Sequence, residues 1–383
     1  MQRDDFVLES PGELVEVTGG ALAFLPRNLP PELPLTRTLL VKVEEARGAL
    51  GSLTGQAQLV DNVDLIIGAL ARREAVLSSR LEGTHTQIGE LLLQDALDAP
   101  PAEDSDLQEV VNYLATIRLA QSWLAEGRRL GLPFVRGLHQ RLLQGVRGQG
   151  RHPGEVRRVN VYIGDKGLGM QAARFVPPPA EQVDPLLESL FAYISSDPAY
   201  SPLIDAALVH YQFETIHPFE DGNGRLGRLL VPLQLLDKKV IDRPLLYLGA
   251  YFEAHEDEYR DGLLRVSTHG RWGAWVELFL DAVKASADDA RQRVQKLMDL
   301  RKLYEAAVIS VSSSQAPLTA IGLVMRRVYV SVGDIERHAH VTYPTARAAI
   351  DTLVSLGVLA PIGRIQGRQM WQAAQLQREV YED

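Results

Sequence analysis

Apolar residues recur along most of this chain at the spacing of an amphipathic helix. Leu39, Val43 and Ala46 lie three or four positions apart, which brings them to one helix face. The same spacing predicts helices over residues 35–48, 63–81, 104–126, 134–143, 186–194, 203–216, 226–233, 253–266, 272–285 and 288–308. We therefore expect an all-α, mainly helical protein.

Glycine and proline divide this helical pattern into three modules. Residues 1–105 form a helical N-terminal module, and the Asp98-Ala99-Pro100-Pro101 cluster predicts a loop near its end. Residues 106–290 form a central module. Residues 291–383 form a linker helix and a tail of different character. A length of 383 residues suits two or three such packed units.

The tail resembles a winged helix-turn-helix. Its pattern predicts two helices and then two strands, over residues 332–338, 343–356, 359–362 and 370–372. Residues 315–383 hold seven arginines, no lysine and six acidic residues, and the second helix offers Arg347 together with Asp351. The net charge of the tail is therefore close to zero, which is little attraction for the phosphates of DNA. A role in dimerisation or packing is favoured over DNA binding.

Composition excludes several classes of protein. Lys and Arg total 40 against 49 Asp and Glu, and the net charge of −9 argues against broad adhesion to nucleic acid or anionic lipid. Zero cysteines exclude disulfides, thiolate nucleophiles and cysteine-based metal sites, so any metal must use oxygen or nitrogen ligands. The acidic start lacks the plan of a signal peptide, and no apolar run approaches the roughly 20 residues of a membrane span. We expect a cytoplasmic protein with no membrane contact.

A polar, Gly-rich turn between two predicted helices, residues 217–228, concentrates the candidate chemistry. His217 stands at a helix end, where an imidazole with an ordinary pKa of about 6.5 can take a proton from a hydroxyl. Gly222, Asn223 and Gly224 allow the backbone to turn several N–H groups toward one point at the start of the next helix, where the dipole favours anions. The turn therefore predicts a base beside a phosphate cradle.

Charged side chains of the same turn suit a polyphosphate. Asp221 supplies a hard oxygen ligand, and Mg²⁺ bound to phosphates usually needs only one or two carboxylates. Arg225 and Arg228 lie three residues apart, so both can point from the first helical turn toward one polyphosphate. Each residue alone also fits a capped helix start, so the functional interpretation depends on the joint pattern.

This turn matches the signature HPFx[D/E]GNGRxxR of the Fic family at every fixed position, and the chain resembles that family over most of its length. The resemblance implies a helical Fic core with a small β-hairpin flap. It also implies transfer of AMP from ATP to a hydroxyl of a target protein, with Mg²⁺ and release of pyrophosphate. It makes His217 the base and Asp221 the metal ligand. The implied ATP-binding residues are Glu82, Gly222, Asn223, Gly224, Arg225, Leu226, Gly227, Arg228, Tyr259 and Arg260.

A second motif lies upstream, in residues 78–83, which match the family's inhibitory signature [S/T]xxxE[G/N]. By this resemblance Glu82 pairs with Arg228, takes the charge partner of the γ-phosphate of ATP and leaves the α-phosphate misaligned for attack. A helix-end glutamate is usually solvated, but its co-occurrence with the core signature favours the inhibitory interpretation. In some relatives the same glutamate positions a water molecule, so removal of AMP is a second activity to test.

Two β-like runs, residues 159–163 and 174–176, predict an irregular hairpin that resembles the family's flap. The edge of that flap clamps the target segment by β-addition. The implied docking residues are Val161, Tyr162, Ile163, Phe175 and Val176. An ordinary surface hairpin, blunted by prolines 177–179, is the simpler alternative.

Together these features predict a protein adenylyltransferase acting on Tyr, Ser or Thr hydroxyls, autoinhibited by Glu82 and controlled as a homodimer, with the chain itself as a convenient target. Phosphate-transferring relatives replace the Gly-Arg of the signature by Lys-Arg, so Gly224 argues against that chemistry. Relatives often carry two adjacent tyrosines where this chain has Tyr259 and Arg260, which leaves the adenine contact open. The alternative is a regulator that uses the tail on DNA, with the Fic site as a nucleotide sensor.

Overall fold

The computed structural model describes residues 1–17, 19–60, 62–97, 100–103, 105–146, 150–164 and 167–382. Within them helices dominate, and short strands form two small antiparallel sheets. The prediction of a mainly helical protein is confirmed. Asp98, Ala99 and Asp104, where the sequence pattern predicts a loop and the start of a helix, lie outside the described residues.

The helices in chain order are α1 (Arg37–Gln58), α2 (Val63–Arg80), α3 (Ile88–Leu97), α4 (Asp106–Ala125), α5 (Leu132–Leu142), α6 (Ala180–Ser195), α7 (Pro202–Ile216), α8 (Asn223–Asp237), α9 (Gly249–Ala254), α10 (Glu256–His269), α11 (Trp272–Val311), α12 (Gln315–Arg327), α13 (Val332–Ala339) and α14 (Tyr343–Ser355). The strands are β1 (Gly12–Val17), β2 (Ala21–Pro26), β3 (Tyr329–Val330), β4 (Ala360–Ile365) and β5 (Arg368–Gln372).

Helix α7 lies at the centre of the fold. Its residues 203–213 are all buried, as expected for a helix without a polar face. Its neighbours are α6, α8, α10 and α11, and two apolar clusters meet around it. Phe219 and Leu226 anchor the next turn in one of these clusters. The histidine turn therefore follows a helix that is buried on every face over residues 203–213.

Helix α11 runs for 40 residues without a break, whereas the sequence pattern predicts separate helices over 272–285 and 288–308. The acidic residues at this junction do not end the helix, because Asp289 pairs with Arg293 one turn later at 2.9 Å. Helix α11 packs against α1, α7, α10 and α12 and joins them in one apolar cluster. No helix among the described residues has the length and apolar character needed to cross a bilayer.

The N-terminal module, predicted as helical, opens with a β-hairpin. Strands β1 and β2 pair antiparallel, from Gly12 with Pro26 to Val17 with Ala21. Phe24 of β2 is fully buried, and its backbone N–H donates to the carbonyl of Val176 at 2.9 Å. This hairpin packs on the flap segment, and such tertiary contacts decide strand formation more than local pattern does.

The helices and strands predicted in the tail are present as α13, α14, β4 and β5. They are preceded by α12 and β3, which the pattern analysis missed. Strand β5 pairs with both β3 and β4, so the sheet order is β3-β5-β4. Val324, Ile335, Ile350 and Trp371 form the apolar centre of the tail, and this centre is continuous with the cluster around α11.

We expect Trp275→Ala to lower the free energy of unfolding by about 3–5 kcal/mol. Trp275 is 1% exposed, and its indole N–H donates to the carbonyl of Ala207 at 2.9 Å, so truncation removes both packing and a hydrogen bond between α11 and α7. Urea denaturation followed by circular dichroism measures the change. Leu303→Ala on the same helix is the control, because Leu303 is 56% exposed. Equal losses in the two variants would contradict the packing described.

Candidate active site

His217 ends α7 with a left-handed backbone, φ 50° and ψ 63°, which few residues with a side chain adopt. Its Nδ1 lies 3.3 Å from the carbonyl oxygen of Glu214. Because a carbonyl only accepts, Nδ1 carries the proton in this contact and Nε2 keeps the lone pair. Burial, with the nearby Arg157 guanidinium, lowers the pKa of His217 to about 4. The ring is therefore neutral at pH 7 and able to accept a proton.

Asn223 closes the loop that follows His217. Its side chain accepts from the N–H of Phe219 and donates to the carbonyl of Phe219, both at 2.9 Å. Gly222 adopts φ +76° at the N-cap of α8, where no side chain caps the helix. The predicted phosphate cradle is thus an uncapped helix start behind a closed loop.

Glu82 and Arg228, which lie in separate sequence motifs, are in contact. The carboxylate accepts from Nη2 of Arg228 at 2.6 Å. Glu82 lies in the turn after α2, which Gly83 completes with φ +91°. The carboxylate stands over the start of α8, so close that a Cβ atom added to Gly224 would lie 2.1 Å from its Oε1. A negative charge of the protein therefore occupies the mouth of the cradle.

Helix α2 also holds Arg228 through Ser78. Nε donates to Ser78 Oγ at 2.7 Å, and Nη2 donates to the Ser78 carbonyl at 2.8 Å. The side chain of Arg228 is 2% exposed. Burial opposes its charge, but Glu82 and other acidic neighbours raise the pKa of Arg228 above its ordinary value. The guanidinium is a permanent buried cation.

Three carboxyl groups act electrostatically on this cation. Burial opposes the charge of Glu82, but Arg228 and Arg225 outweigh it and lower the pKa of Glu82. Burial raises the pKa of Glu74 to about 7 and that of Glu214 to about 8, against the attraction of Arg228. Glu82 is therefore the ionised partner, while Glu214 keeps its proton at neutral pH.

The carboxyl groups of Glu74 and Glu214 have different surroundings. Glu74 accepts from the N–H of Gly249 at 2.9 Å and from the hydroxyl of Tyr113 at 3.3 Å. Glu214 Oε1 is buried against Gly227 and has no hydrogen-bond partner within the described part of the chain. Sequence reasoning missed both residues, because a glutamate inside a helix is ordinarily read as a solvated side chain.

A cavity of about 920 Å³ lies in front of His217, a size that suits a nucleotide. Most of the predicted site residues line it, namely Glu82, His217, Asp221, Gly222, Asn223, Gly224, Arg228, Tyr259 and Arg260. Tyr259 is 5% exposed, and its hydroxyl lies 2.9 Å from Nε2 of His210. Arg260 donates to the carbonyl of Leu81 at 3.2 Å and so touches the turn after α2.

Three predicted ATP-binding residues do not line this cavity. Arg225 is paired with Glu109 at 3.0 Å, and the two side chains are only 3% and 4% exposed. Leu226 is 1% exposed in the apolar core. The carbonyl of Gly227 lies 3.0 Å from Nδ1 of His210. These three signature positions therefore fix α8 through contacts with the interior of the protein rather than through the cavity.

The flap segment is not a regular hairpin. The predicted strands, 159–163 and 174–176, are reduced to one antiparallel bridge between Ile163 and Phe175. The prolines at 177–179 cannot donate to a ladder, which prevents its extension.

The predicted docking residues of the flap divide into two groups. Val161, Tyr162, Ile163 and Phe175 line the cavity. Val176 is 1% exposed and packs in a small cluster with residues of the N-terminal hairpin. Val176 is therefore buried away from any docking surface.

Arg157 fixes the histidine turn, and sequence reasoning missed it. This side chain is 1% exposed. It donates to the carbonyls of His217 at 2.8 Å, Val159 at 3.0 Å, Pro178 at 2.6 Å and Ile216 at 3.2 Å. It thereby satisfies the end of α7 and ties it to the flap. Arg157 is followed directly by Arg158, and nothing in the sequence distinguishes the buried arginine from its exposed neighbour.

His139 supports the loop from the other side. Its ring stacks on Phe219 with centroids 3.9 Å apart, and Nε2 lies 3.0 Å from the carbonyl of Asp221. Its Nδ1 accepts from the N–H of Gly154 at 2.7 Å. Burial lowers the pKa of His139 to about 4, so this ring too is neutral.

The single carboxylate of Asp221 fits a metal ion whose other ligands come mainly from the phosphates of a bound nucleotide and from water. The Asp221 side chain is 43% exposed and lines the cavity beside the start of α8. Within the described ranges no three acidic, histidine or cysteine side chains form a metal cluster. A single carboxylate is nevertheless enough for Mg²⁺ when phosphates and water supply the other oxygens.

Comparison with known proteins identifies the fold around this cavity. The Fic/DOC family model matches residues 130–235, and the model of the Fic/DOC family N-terminal region matches residues 40–122. The chain carries a Fic domain. The first match contains the histidine turn, and the second contains Glu82.

Relatives of this Fic domain include proteins named as adenylyltransferases. Protein adenylyltransferase fic-1 of Caenorhabditis elegans is 24% identical over 221 residues, covering 55% of this chain and 41% of the relative. A probable protein adenylyltransferase of Aquifex aeolicus is 32% identical over 88 residues, covering 22% of this chain and 28% of the relative. The chain thus spans less than half the length of these curated relatives.

Solved structures show the same fold. A Fic family protein from Desulfovibrio desulfuricans superposes with a TM-score of 0.57 at 20% identity, covering 90% of this chain and 98% of that one. Fic-1 from C. elegans superposes with a TM-score of 0.50 at 20% identity, covering 68% of this chain and 74% of that one. The likeness to the first structure extends over nearly the whole chain.

We expect Glu214→Gln to change the pH dependence of stability. The pKa of Glu214 is raised to about 8, so between its ordinary value of 4.5 and 8 the folded chain keeps a proton that the unfolded chain releases. Wild-type stability therefore falls relative to the variant as pH rises from about 5 to 8. Urea unfolding of both proteins across this range measures the trend. Glu188→Gln, at an exposed position on α6, is the control. A constant difference across the range would contradict a protonated Glu214.

Proposed function

We propose that this chain is a protein adenylyltransferase, which transfers AMP from ATP to a Tyr, Ser or Thr hydroxyl of a target protein. The observation that supports this assignment best is a neutral His217 facing the same cavity as the uncapped start of α8 and Arg228. A base beside an anion site is what attack of a hydroxyl on a phosphate requires. The names of the relatives support AMP as the transferred group.

The proposed reaction is a displacement at the α-phosphorus of ATP. The hydroxyl oxygen bonds to that phosphorus, the bond to the bridging oxygen breaks, and pyrophosphate leaves. Nε2 of His217 takes the hydroxyl proton, while the Glu214 carbonyl holds the ring through Nδ1. Arg157 holds the His217 carbonyl at 2.8 Å, so the backbone of the base is in place before substrate binds.

The remaining cavity residues take roles toward ATP. The first turn of α8 receives the phosphates, and Arg228 neutralises the terminal one. Asp221 holds Mg²⁺, which supplies further neutralisation of phosphate charge. Tyr259 and Arg260 offer the adenine a ring and a guanidinium plane. Arg225 acts indirectly, by holding α8 through its buried pair with Glu109.

Glu82 is the inhibitory residue in this proposal. Its carboxylate takes the guanidinium that the γ-phosphate needs, and it occupies the space over Gly224. Two like charges at one guanidinium repel each other, so ATP binds with its α-phosphate displaced until Glu82 leaves. Ser78 keeps two hydrogen bonds to Arg228, so the cation stays in position when the carboxylate moves.

The side chain of Glu82 is also 32% exposed, which gives it access to water for the removal of AMP from a modified protein. Ile163 is 37% exposed and lines the cavity, and the segment that contains it is the proposed edge on which the target segment docks. The homodimer, the three-module boundaries and the cytoplasmic location stay predictions from the sequence.

We expect Glu82→Gly to raise AMP transfer by about tenfold or more, because the change frees the charge of Arg228; tenfold corresponds to about 1.4 kcal/mol. Glu82→Gln keeps the volume and removes the charge, so we expect a smaller rise. His217→Ala on the Glu82→Gly background should abolish transfer. The measurement is label appearing on the purified chain, or on an added protein, from α-labelled ATP and Mg²⁺.

Glu188→Gln is the matched control, since it removes a carboxylate from an exposed site on α6. An unchanged rate in Glu82→Gly would contradict inhibition by this residue. Absence of protein label in all variants, although ATP binds, would contradict adenylyl transfer itself.

A further inference from the structure

The tail gathers arginines on one face, although the whole chain carries a net charge of −9. They belong to the last turn of α12, the last turn of α13 and the start of β5. The pocket that they form measures about 660 Å³ and is lined by Leu323, Arg326, Arg327, Asp334, Arg337, His338 and Arg368. Four guanidinium groups therefore share one pocket with a single carboxylate.

That carboxylate does not cancel the positive charge at the surface. Asp334 is 2% exposed, and it caps the start of α13 through hydrogen bonds of 2.8 and 2.6 Å. Arg337 pairs with it at 2.6 Å. Among the described residues, the guanidinium groups of Arg326 and Arg368 form neither a hydrogen bond nor an ion pair. Two arginines of the pocket are thus available to a ligand.

The half-buried imidazole of His338 responds to the same positive potential. Burial lowers the pKa of His338, and Arg326, His340 and Arg327 lower it further. A cationic field strong enough to disfavour a further proton is a field that attracts anions.

Helix ends alone do not account for the cluster. Arginines in a last turn complement the negative end of the helix dipole, which explains Arg326, Arg327 and Arg337 individually. Arg368 lies at the start of a strand and has no such reason to face the pocket. One phosphate group is satisfied by one or two guanidinium groups, so Arg326 and Arg368, together with the exposed Arg337, suit two phosphates.

Helix α14, where the sequence offered Arg347, does not contribute to this pocket. Arg347 pairs with Asp351 at 3.0 Å, and its guanidinium lies 5.3 Å from the ring centre of Trp371. The low net charge of the tail therefore conceals a separation: Arg347 of α14 is neutralised by Asp351, while Arg326 of α12 and Arg368 of β5 face the pocket without a hydrogen bond or ion pair among the described residues.

We propose that this pocket binds a ligand with two or more adjacent phosphate groups, held by Arg326, Arg337 and Arg368. A nucleic-acid backbone and a free polyphosphate share this chemistry. The pocket is lined by tail residues alone, so the inference does not depend on the reaction proposed above.

Two probes test the site with the full-length chain: a fluorescent 20-base-pair duplex, followed by anisotropy at about 50 and 200 mM salt, and sodium tripolyphosphate, followed by calorimetry. We expect the wild type to bind at least one of these probes. For that probe, the affinity of the double variant Arg326→Ala/Arg368→Ala should be lower by about tenfold or more. For the duplex this variant should also reduce the salt dependence by about two phosphate contacts. Thermal melting checks that folding is unchanged.

Arg364→Ala is the matched control, because Arg364 is exposed on β4 of the same hairpin but does not line the pocket. Arg228→Ala identifies any tripolyphosphate that binds instead in the cavity before His217. Loss of duplex or tripolyphosphate binding in the double variant alone supports the site and identifies the source of phosphate. Equal loss in Arg364→Ala, loss only in Arg228→Ala, or no binding of either probe would overturn it.

Discussion

The buried guanidinium of Arg228 is the interaction on which the rest of this site depends. It is a cation with almost no contact with water, so the surrounding protein must supply its counter-charge and its hydrogen-bond acceptors. Ser78 supplies acceptors from α2, and Glu82 supplies the charge. Helices α2 and α8 are therefore bound together by the group that faces the cavity. Any anion that enters must take over a role that Glu82 already fills.

The histidine turn is an irregular loop with no regular set of backbone-to-backbone hydrogen bonds, so side chains hold its conformation. Asn223 closes it from within, and Arg157 satisfies the carbonyls at the end of α7. His139 stacks beneath it on Phe219. Asn223, Arg157 and, through the carbonyl of Asp221, His139 are buried polar side chains whose hydrogen-bond partners are backbone groups, so the loop is held by hydrogen bonds that are shielded from water. The neutral state of His217 follows from the same burial.

The sequence predicts the parts of this site that are encoded by spacing. His217, Asp221 and the glycines lie in one short turn, and the match of two motifs anticipates the contact of Glu82 with Arg228. It does not predict Arg157 or Glu214, because their roles arise from burial by distant segments. Regular helices follow from apolar periodicity, but the β1–β2 hairpin does not, since its strands are stabilised by packing on the flap. The unbroken α11 was missed because acidic residues imitate a helix boundary until their partners are known.

The length of α11 has a mechanical consequence. Its 40 residues correspond to about 60 Å of rigid rod. Near its start Trp275 donates to the carbonyl of Ala207 in α7, the helix that ends at the histidine turn, and α11 also packs on α12 of the tail. A hinge absorbs rotation, but a continuous helix transmits it. The tail and the helix that positions His217 are therefore both packed on one continuous helix, and α11 itself contains no break at which they could rotate independently.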